Sequence, residues 1–234
     1  MSKTMLNISG IQVEVTRKNI KNMHLSVKPP NGKVTVSAPI QMTDDAIDRF
    51  VRIKIGWVKR QIAKFEMQPR QSKREYVSGE TLYVWGKQYY MRVEHSNRNS
   101  LILQNNNAIL KVREESTVKQ RESFVREWYR GLLKAEIARL LPKWEQITEL
   151  KSAGYRTQYM TTRWGTCNLK TGIIRFNLQL AKKPPECLEY VILHELAHFI
   201  ERTHNARFVA VMDEYMPMWR EIKKTLNSQI LDYM

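Results

Sequence analysis

Five residues, His194-Glu195-Leu196-Ala197-His198, constrain this chain more tightly than any other stretch. Side chains four apart sit above one another on one face of a helix. Two imidazoles in that relation can share a single Zn²⁺ at about 2.0–2.1 Å each. Glu195 then projects beside the metal, where it can take a proton from water. The flanking residues agree with a helix. Pro184-Pro185-Glu186 is a good helix start, because proline's missing donor costs nothing in the first turn. Leu188, Val191, Ile192, Leu196 and Phe199 follow at helical spacing, so the segment should be buried against a core.

Three of the five histidines lie between residues 194 and 204. His204 comes six positions after His198, and a straight helix would turn it well away from the 194/198 face. It reaches a shared metal only if the helix stops soon after His198 and the chain folds back. Glu201-Arg202-Thr203 and Asn205 are polar and compatible with a helix end, although no glycine eases the turn. Glu201, Asp213, Glu214 and Glu221 are the rival carboxylate ligands. Three protein ligands leave one tetrahedral position open, which is the arrangement of a catalytic zinc site. The expectation is one Zn²⁺ per chain held by His194, His198 and His204, with Glu195 as catalytic base. His24 and His95 lack ligand spacing.

The rest of the chain reads as α+β. Ile11–Val15 alternates apolar and polar residues, and His24–Val27 and Lys33–Ala38 flank Pro29-Pro30-Asn31-Gly32 as a hairpin. Thr43 caps one helix, with Ile47, Phe50, Val51, Ile55, Val58 and Ile62 on its apolar stripe, ending before Pro69. Short strands are predicted at Thr81–Val84, Tyr89–Val93, Leu101–Leu103 and Ala108–Val112. A capping box at Thr117 and Gln120 opens a long helix to about Leu141, where Pro142 should weaken or end it. Ile173–Leu180 alternates as a strand, and Ala206–Leu226 forms the last helix, broken near Pro217. The reading places a β-rich region with one helix at residues 1–115 and a metal-binding catalytic region at residues 116–234, without an internal repeat.

Composition narrows the partners. The net charge of +16 attracts polyanions, so a basic nucleic-acid-associated protein with a zinc site is one alternative. The charge is spread along the chain, with no long Lys/Arg block. No stretch approaches the roughly 20 apolar residues of a membrane span, and no signal-peptide run is evident at the start. Two cysteines, Cys167 and Cys187, fit free thiols in a reducing compartment. A cytoplasmic protein is expected.

His194-Glu195-Leu196-Ala197-His198, followed by Thr203-His204-Asn205 and Phe208, resembles the YgjP-like metal-dependent hydrolases, relatives of SprT-like zinc peptidases. Arg163-Trp164-Gly165-Thr166-Cys167 is similar to that family's Arg-Trp-Gly-Ser-Cys signature, with Thr166 replacing Ser. Asn177-Leu178 and Pro184-Pro185 also fit, and the likeness covers roughly residues 11–227. The chain departs from the family at Asn205-Ala206 and at Val209, away from the expected ligands. The resemblance implies a zincin-like fold, with a metal helix packed beside a small sheet. It implies a peptide substrate for a metallopeptidase, or a nucleotide substrate for a UTP pyrophosphatase.

Secondary candidates follow from these two chemistries. Gly172–Leu180 offers an edge for peptide addition. Arg156, Arg163, Lys170 and Arg175 are the cations available to phosphate. Tyr155, Tyr159 and Tyr215 are hydroxyls available to an oxyanion. Arg163, Asn177 and Tyr159 are taken as the substrate contacts, and Cys167 is expected to be a small buried hydrophobe.

Overall fold

The computed structural model describes residues 3–28, 31–67 and 74–228. The chain is α+β and divides into two compact units between residues 71 and 72. No helix among the described residues is long and apolar enough to cross a membrane.

In the first unit, strands β1 (Lys3–Ile8), β2 (Ile11–Lys18), β3 (His24–Lys28) and β4 (Lys33–Pro39) form a sheet of order β1-β2-β4-β3. Alternation places Val13, Val15, Val34, Val36 and Ala38 on one face. There they pack with Ile47, Val51 and Val58 of helices α1 (Asp44–Ile53) and α2 (Ile55–Met67). Thr43 caps α1 through Ala46 N–H. The single helix expected here is two, because Lys54 N–H closes back on Val51 O at 3.0 Å. Ile53, Ile55 and Gly56 are weak helix formers at that point. Pro29, Pro30 and Pro69 lie outside the described residues.

The second unit opens with β5 (Thr81–Val84), β6 (Lys87–His95), β7 (Ser100–Gln104) and β8 (Asn107–Val112), in order β5-β6-β8-β7. Helix α3 (Val118–Thr148) follows, with its capping box formed: Thr117 N–H donates to Gln120 Oε1 at 2.8 Å, and Gln120 N–H donates to Thr117 Oγ1 at 3.3 Å. Pro142 does not end this helix. Trp144 and Thr148 beyond it are buried, and Trp144 Nε1 donates to Glu189 at 3.0 Å. Packing outweighs the lost backbone bond, and α3 stops only at Glu149, which adopts a left-handed φ of 58°. Leu82, Val84, Met91 and Leu110 share one core with Val125, Tyr129, Leu133 and Ile137 of α3. The expected boundary near residue 115 therefore falls inside this unit.

The two four-stranded sheets have the same topology: a hairpin, a parallel join, and a second hairpin. Both first hairpins turn on a positive-φ pair, Ser9-Gly10 (53° and 80°) and Trp85-Gly86 (48° and 80°). Both sheets lead into a helix capped by a threonine, Thr43 or Thr117. Phe50-Val51-Arg52 in one helix matches Phe124-Val125-Arg126 in the other. Each arginine pairs with an acid four residues earlier, Arg52 with Asp48 and Arg126 with Glu122. The fold thus contains a repeat that the sequence reading does not find. Alternation alone specifies a strand face, so strand identities can diverge while the topology persists.

The remaining elements build the site. Strands β9 (Gly154–Gln158), β10 (Gly165–Asn168) and β11 (Ile173–Asn177) form a sheet of order β10-β11-β9. Neither β9 nor β10 is apolar enough to be read in advance. The strand expected to reach Leu180 ends at Asn177, and Leu178–Lys182 is a 3₁₀ turn. β11 is paired on both sides, so it offers no free edge; among the described residues the outer strands are β10 and β9. Helix α4 (Pro185–Ala197) is buried nearly all round, through Leu188, Val191, Ile192, Leu193, Leu196 and Ala197. Helices α5 (Ala206–Tyr215) and α6 (Trp219–Ser228) pack on α4. Their break spans Met216–Met218, near the Pro217 break expected.

Candidate metal centre and its cleft

α4 ends at Ala197, and His198 is its C-cap. Glu201 N–H still bonds to Ala197 O at 3.0 Å, and the chain then turns away from the helix axis. The loop that follows is tied down by its own polar residues. His198 Nδ1 lies 3.1 Å from Glu201 O. Thr203 donates to Glu201 Oε1 from both its N–H (3.2 Å) and its hydroxyl (3.1 Å). Asn205 then caps α5 through Phe208 N–H at 3.1 Å. This turn returns His204 to the helix face, and its Nε2 stands 3.1 Å from His194 Nε2.

His194, His198 and His204 each offer a ligand atom, and these atoms lie within 4.8 Å of one another. Two nitrogens on one tetrahedral zinc are about 3.3 Å apart, given Zn–N bonds of about 2.0–2.1 Å. The His194–His204 separation of 3.1 Å fits that requirement. The distal nitrogens are also engaged: His198 Nδ1 by the Glu201 carbonyl, and His194 Nδ1 by the Tyr190 hydroxyl at 3.5 Å. Partners of this kind orient imidazoles so that Nε2 faces a metal. Phe208, itself buried, touches all three rings at centroid distances of 4.7–5.0 Å. Burial, together with the charges of the other histidines and Lys223, lowers the His194 pKa to about 3. His204 is lowered in the same direction. Both are therefore neutral, as ligands must be. The rival carboxylates are occupied or elsewhere: Glu201 holds its loop, and Asp213 is bonded to Trp219 and Arg220.

Glu195 is only 4% exposed. Burial pushes its carboxyl up to about 8, against the opposing effects of the Arg163 charge and a hydrogen bond from the Cys167 backbone N–H. Gly165 on the same strand presses on it: a Cβ built at Gly165 would stand 2.5 Å from Glu195 Oε1. β10 thus fixes the carboxylate from one side while α4 holds its backbone.

These groups open into a cleft of about 960 Å³. Arg163 lines it, as do Lys170 and Arg175. Tyr159 and Asn177 do not. Asn177 is fully buried, donating to Met160 O (2.8 Å) and Arg163 O (2.7 Å) and accepting from Gln179 N–H (3.1 Å). It shapes the loop that carries Arg163. Cys167 lines the cleft half-buried, and burial and Glu195 raise its thiol to about 11. Tyr190, Arg202 and Lys223 also line the cleft, and none of them is among the candidate site residues of the sequence. Tyr190 carried a usable signal, since it precedes His194 by four residues on the same helix.

An α+β unit with three converging histidines beside a buried glutamate defines a candidate metal-dependent hydrolase site. The family model that matches is described as YgjP-like, metallopeptidase domain, and spans residues 21–229. The chain belongs to the YgjP-like family, which places it among metal-dependent hydrolases. No curated protein matches it. Among solved structures it is similar to the metallopeptidase zymogen of Pyrococcus abyssi abylysin: 20% identity, 42% of this chain and 98% of that one, TM-score 0.38. It is likewise similar to the metallopeptidase zymogen of Methanocaldococcus jannaschii jannalysin: 22% identity, 41% of this chain and 97% of that one, TM-score 0.37.

Proposed function

We propose that the chain is a zinc-dependent peptidase in which His194, His198 and His204 hold the metal and Glu195 is the general base. The observation that carries this reading is the convergence of the three imidazoles beside a buried carboxylate. When bound, zinc makes a water more acidic and polarises a carbonyl. Glu195 accepts the proton of the attacking water and returns it to the leaving amine. Cys167 N–H and Gly165 keep the carboxylate on that line of attack. Among the described residues β10 pairs only with β11, and β10 lines the cleft, so its outer edge can receive an extended peptide as an added strand.

The test uses purified protein, loaded with zinc and assayed for metal content, beside its Glu195→Gln variant. Both are offered peptide libraries and nucleoside triphosphates. Peptide cleavage that is lost in the variant while zinc stays bound supports the reading. Glu195-dependent release of pyrophosphate without peptide cleavage overturns it in favour of the nucleotide reaction.

A further inference from the structure

Five cationic side chains line the cleft: Arg163, Lys170, Arg175, Arg202 and Lys223. They come from five places: the loop before β10, the β10–β11 turn, β11, the loop between His198 and His204, and α6. Among the described residues, Glu195 is the one carboxylate on the cleft wall, and it is almost fully buried. None of the five cations forms a salt bridge to an acid among the described residues. Surface arginines elsewhere on the protein commonly do, as Arg52, Arg126, Arg139 and Arg220 show. The walls are therefore a field of one sign, which a bound divalent metal would strengthen. Such a field concentrates anionic ligands and repels basic ones.

Resting on the peptidase reading above, we propose that the cleft selects extended peptide segments bearing Asp or Glu side chains on both sides of the cleaved bond. The placement of the cations suits separated carboxylates. Lys170 and Arg175 belong to the β10–β11 hairpin, along whose free edge a strand would lie. Arg202 and Lys223 belong to the histidine side, and the charge of Lys223 acts on both His194 and His204. A compact polyphosphate would meet a less suitable wall. Gly165 is the one glycine lining the cleft among the described residues, and its close approach is to Glu195, so no glycine-rich run of backbone N–H groups is presented. The helix that reaches the site presents its C-terminal end, whose dipole repels anions crowded near the metal.

The experiment uses the full chain loaded with zinc and a matched set of fluorogenic peptides. The residues flanking the cleaved bond are Glu, Gln or Lys in otherwise identical sequences. Exposed charge pairs contribute modestly each, so two or three together should raise kcat/KM for the Glu peptide over the Gln peptide about tenfold at low salt. The ratio should shrink toward one at high salt and in the Lys170→Gln/Arg175→Gln/Lys223→Gln variant. The Glu195→Gln variant provides a reading free of turnover: it should bind the labelled Glu peptide more tightly than the Lys peptide by fluorescence anisotropy. Equal kcat/KM for all three peptides, each cleaved in a Glu195-dependent way, overturns the selectivity and leaves the peptidase reading standing. Failure to cleave any peptide, with Glu195-dependent release of pyrophosphate from nucleoside triphosphates, overturns both.

Discussion

Gly165→Ala isolates the role of Glu195 without touching a histidine. The added Cβ would stand 2.5 Å from Glu195 Oε1 and 2.9 Å from both Cδ and Cγ, and no other residue lies among its three nearest atoms. An ordinary contact begins at 3.4 Å, so the carboxylate must retreat by about 0.9 Å. Glu195 is buried, and its retreat strains the hydrogen bond from Cys167 N–H. Overpacking of this kind costs about 1–3 kcal/mol of stability. A catalytic group displaced by about 1 Å loses about 10²-fold in rate. The expected result is a kcat lowered about a hundredfold, KM changed little, zinc affinity unchanged, and a modest fall in Tm. Gly131→Ala is the internal control, because nothing lies within 4 Å of a Cβ there and the site is exposed on α3. It should gain up to about 1 kcal/mol through helix propensity. If Gly165→Ala lowers Tm but keeps wild-type kcat, the position of Glu195 does not govern the reaction. If zinc affinity falls together with kcat, the damage runs through the ligand set instead.

Tyr190→Phe removes the hydroxyl 3.5 Å from His194 Nδ1. Zinc affinity measured against a chelating dye should fall about tenfold, with the Tm of the metal-free protein nearly unchanged; equal affinity would show that this hydroxyl does not orient the ring. Asn177→Ala strips the side-chain partner from the Arg163 carbonyl and from Gln179 N–H, while the Met160 carbonyl keeps Gln179 Nε2 at 3.3 Å. At about 1–3 kcal/mol for a buried group left unpaired, it should lower stability by about 1–2 kcal/mol in urea titration and make residues 159–164 sensitive to protease. A stability loss below about 0.5 kcal/mol would contradict its role as a loop clamp. Burial holds the Cys187 thiol near 11, above its usual value of 9. A raised thiol pKa favours the protonated folded form, so this stability is complete below about pH 9 and is lost as pH climbs through about 11. Cys187→Ala should flatten that part of the denaturation profile, and an unchanged profile would exclude the thiol as its source.

Much of the candidate site was legible because it is local. The spacing of His194 and His198 needs only a helix, and Pro184-Pro185 with an apolar run supplies one. His204 was legible conditionally, through the requirement that α4 stop early, and α4 does stop at Ala197. The hairpin of His24–Val27 with Lys33–Ala38 was readable for the same reason, since its two strands are neighbours in the chain, and they do pair antiparallel. Parallel pairings were not, because β2–β4, β6–β8 and β9–β11 depend on partners distant in the chain. Pro142 misled for a related reason, since the packing of Trp144 decides the local conflict. Asn177 sits next to the site in sequence, yet its amide faces the 160–163 loop and not the cleft.

By itself, then, the sequence determined the elements whose physics closes within a turn or two of chain: the metal helix, its caps, the hairpins and the net charge. Tertiary structure alone decided which edge strand of the small sheet lines the cleft, which cations share it, and that β10 presses on Glu195. It also decided that one strand-and-helix unit occurs twice. These properties depend on groups brought together across long stretches of chain, and a one-dimensional pattern records the residues but not which of them meet.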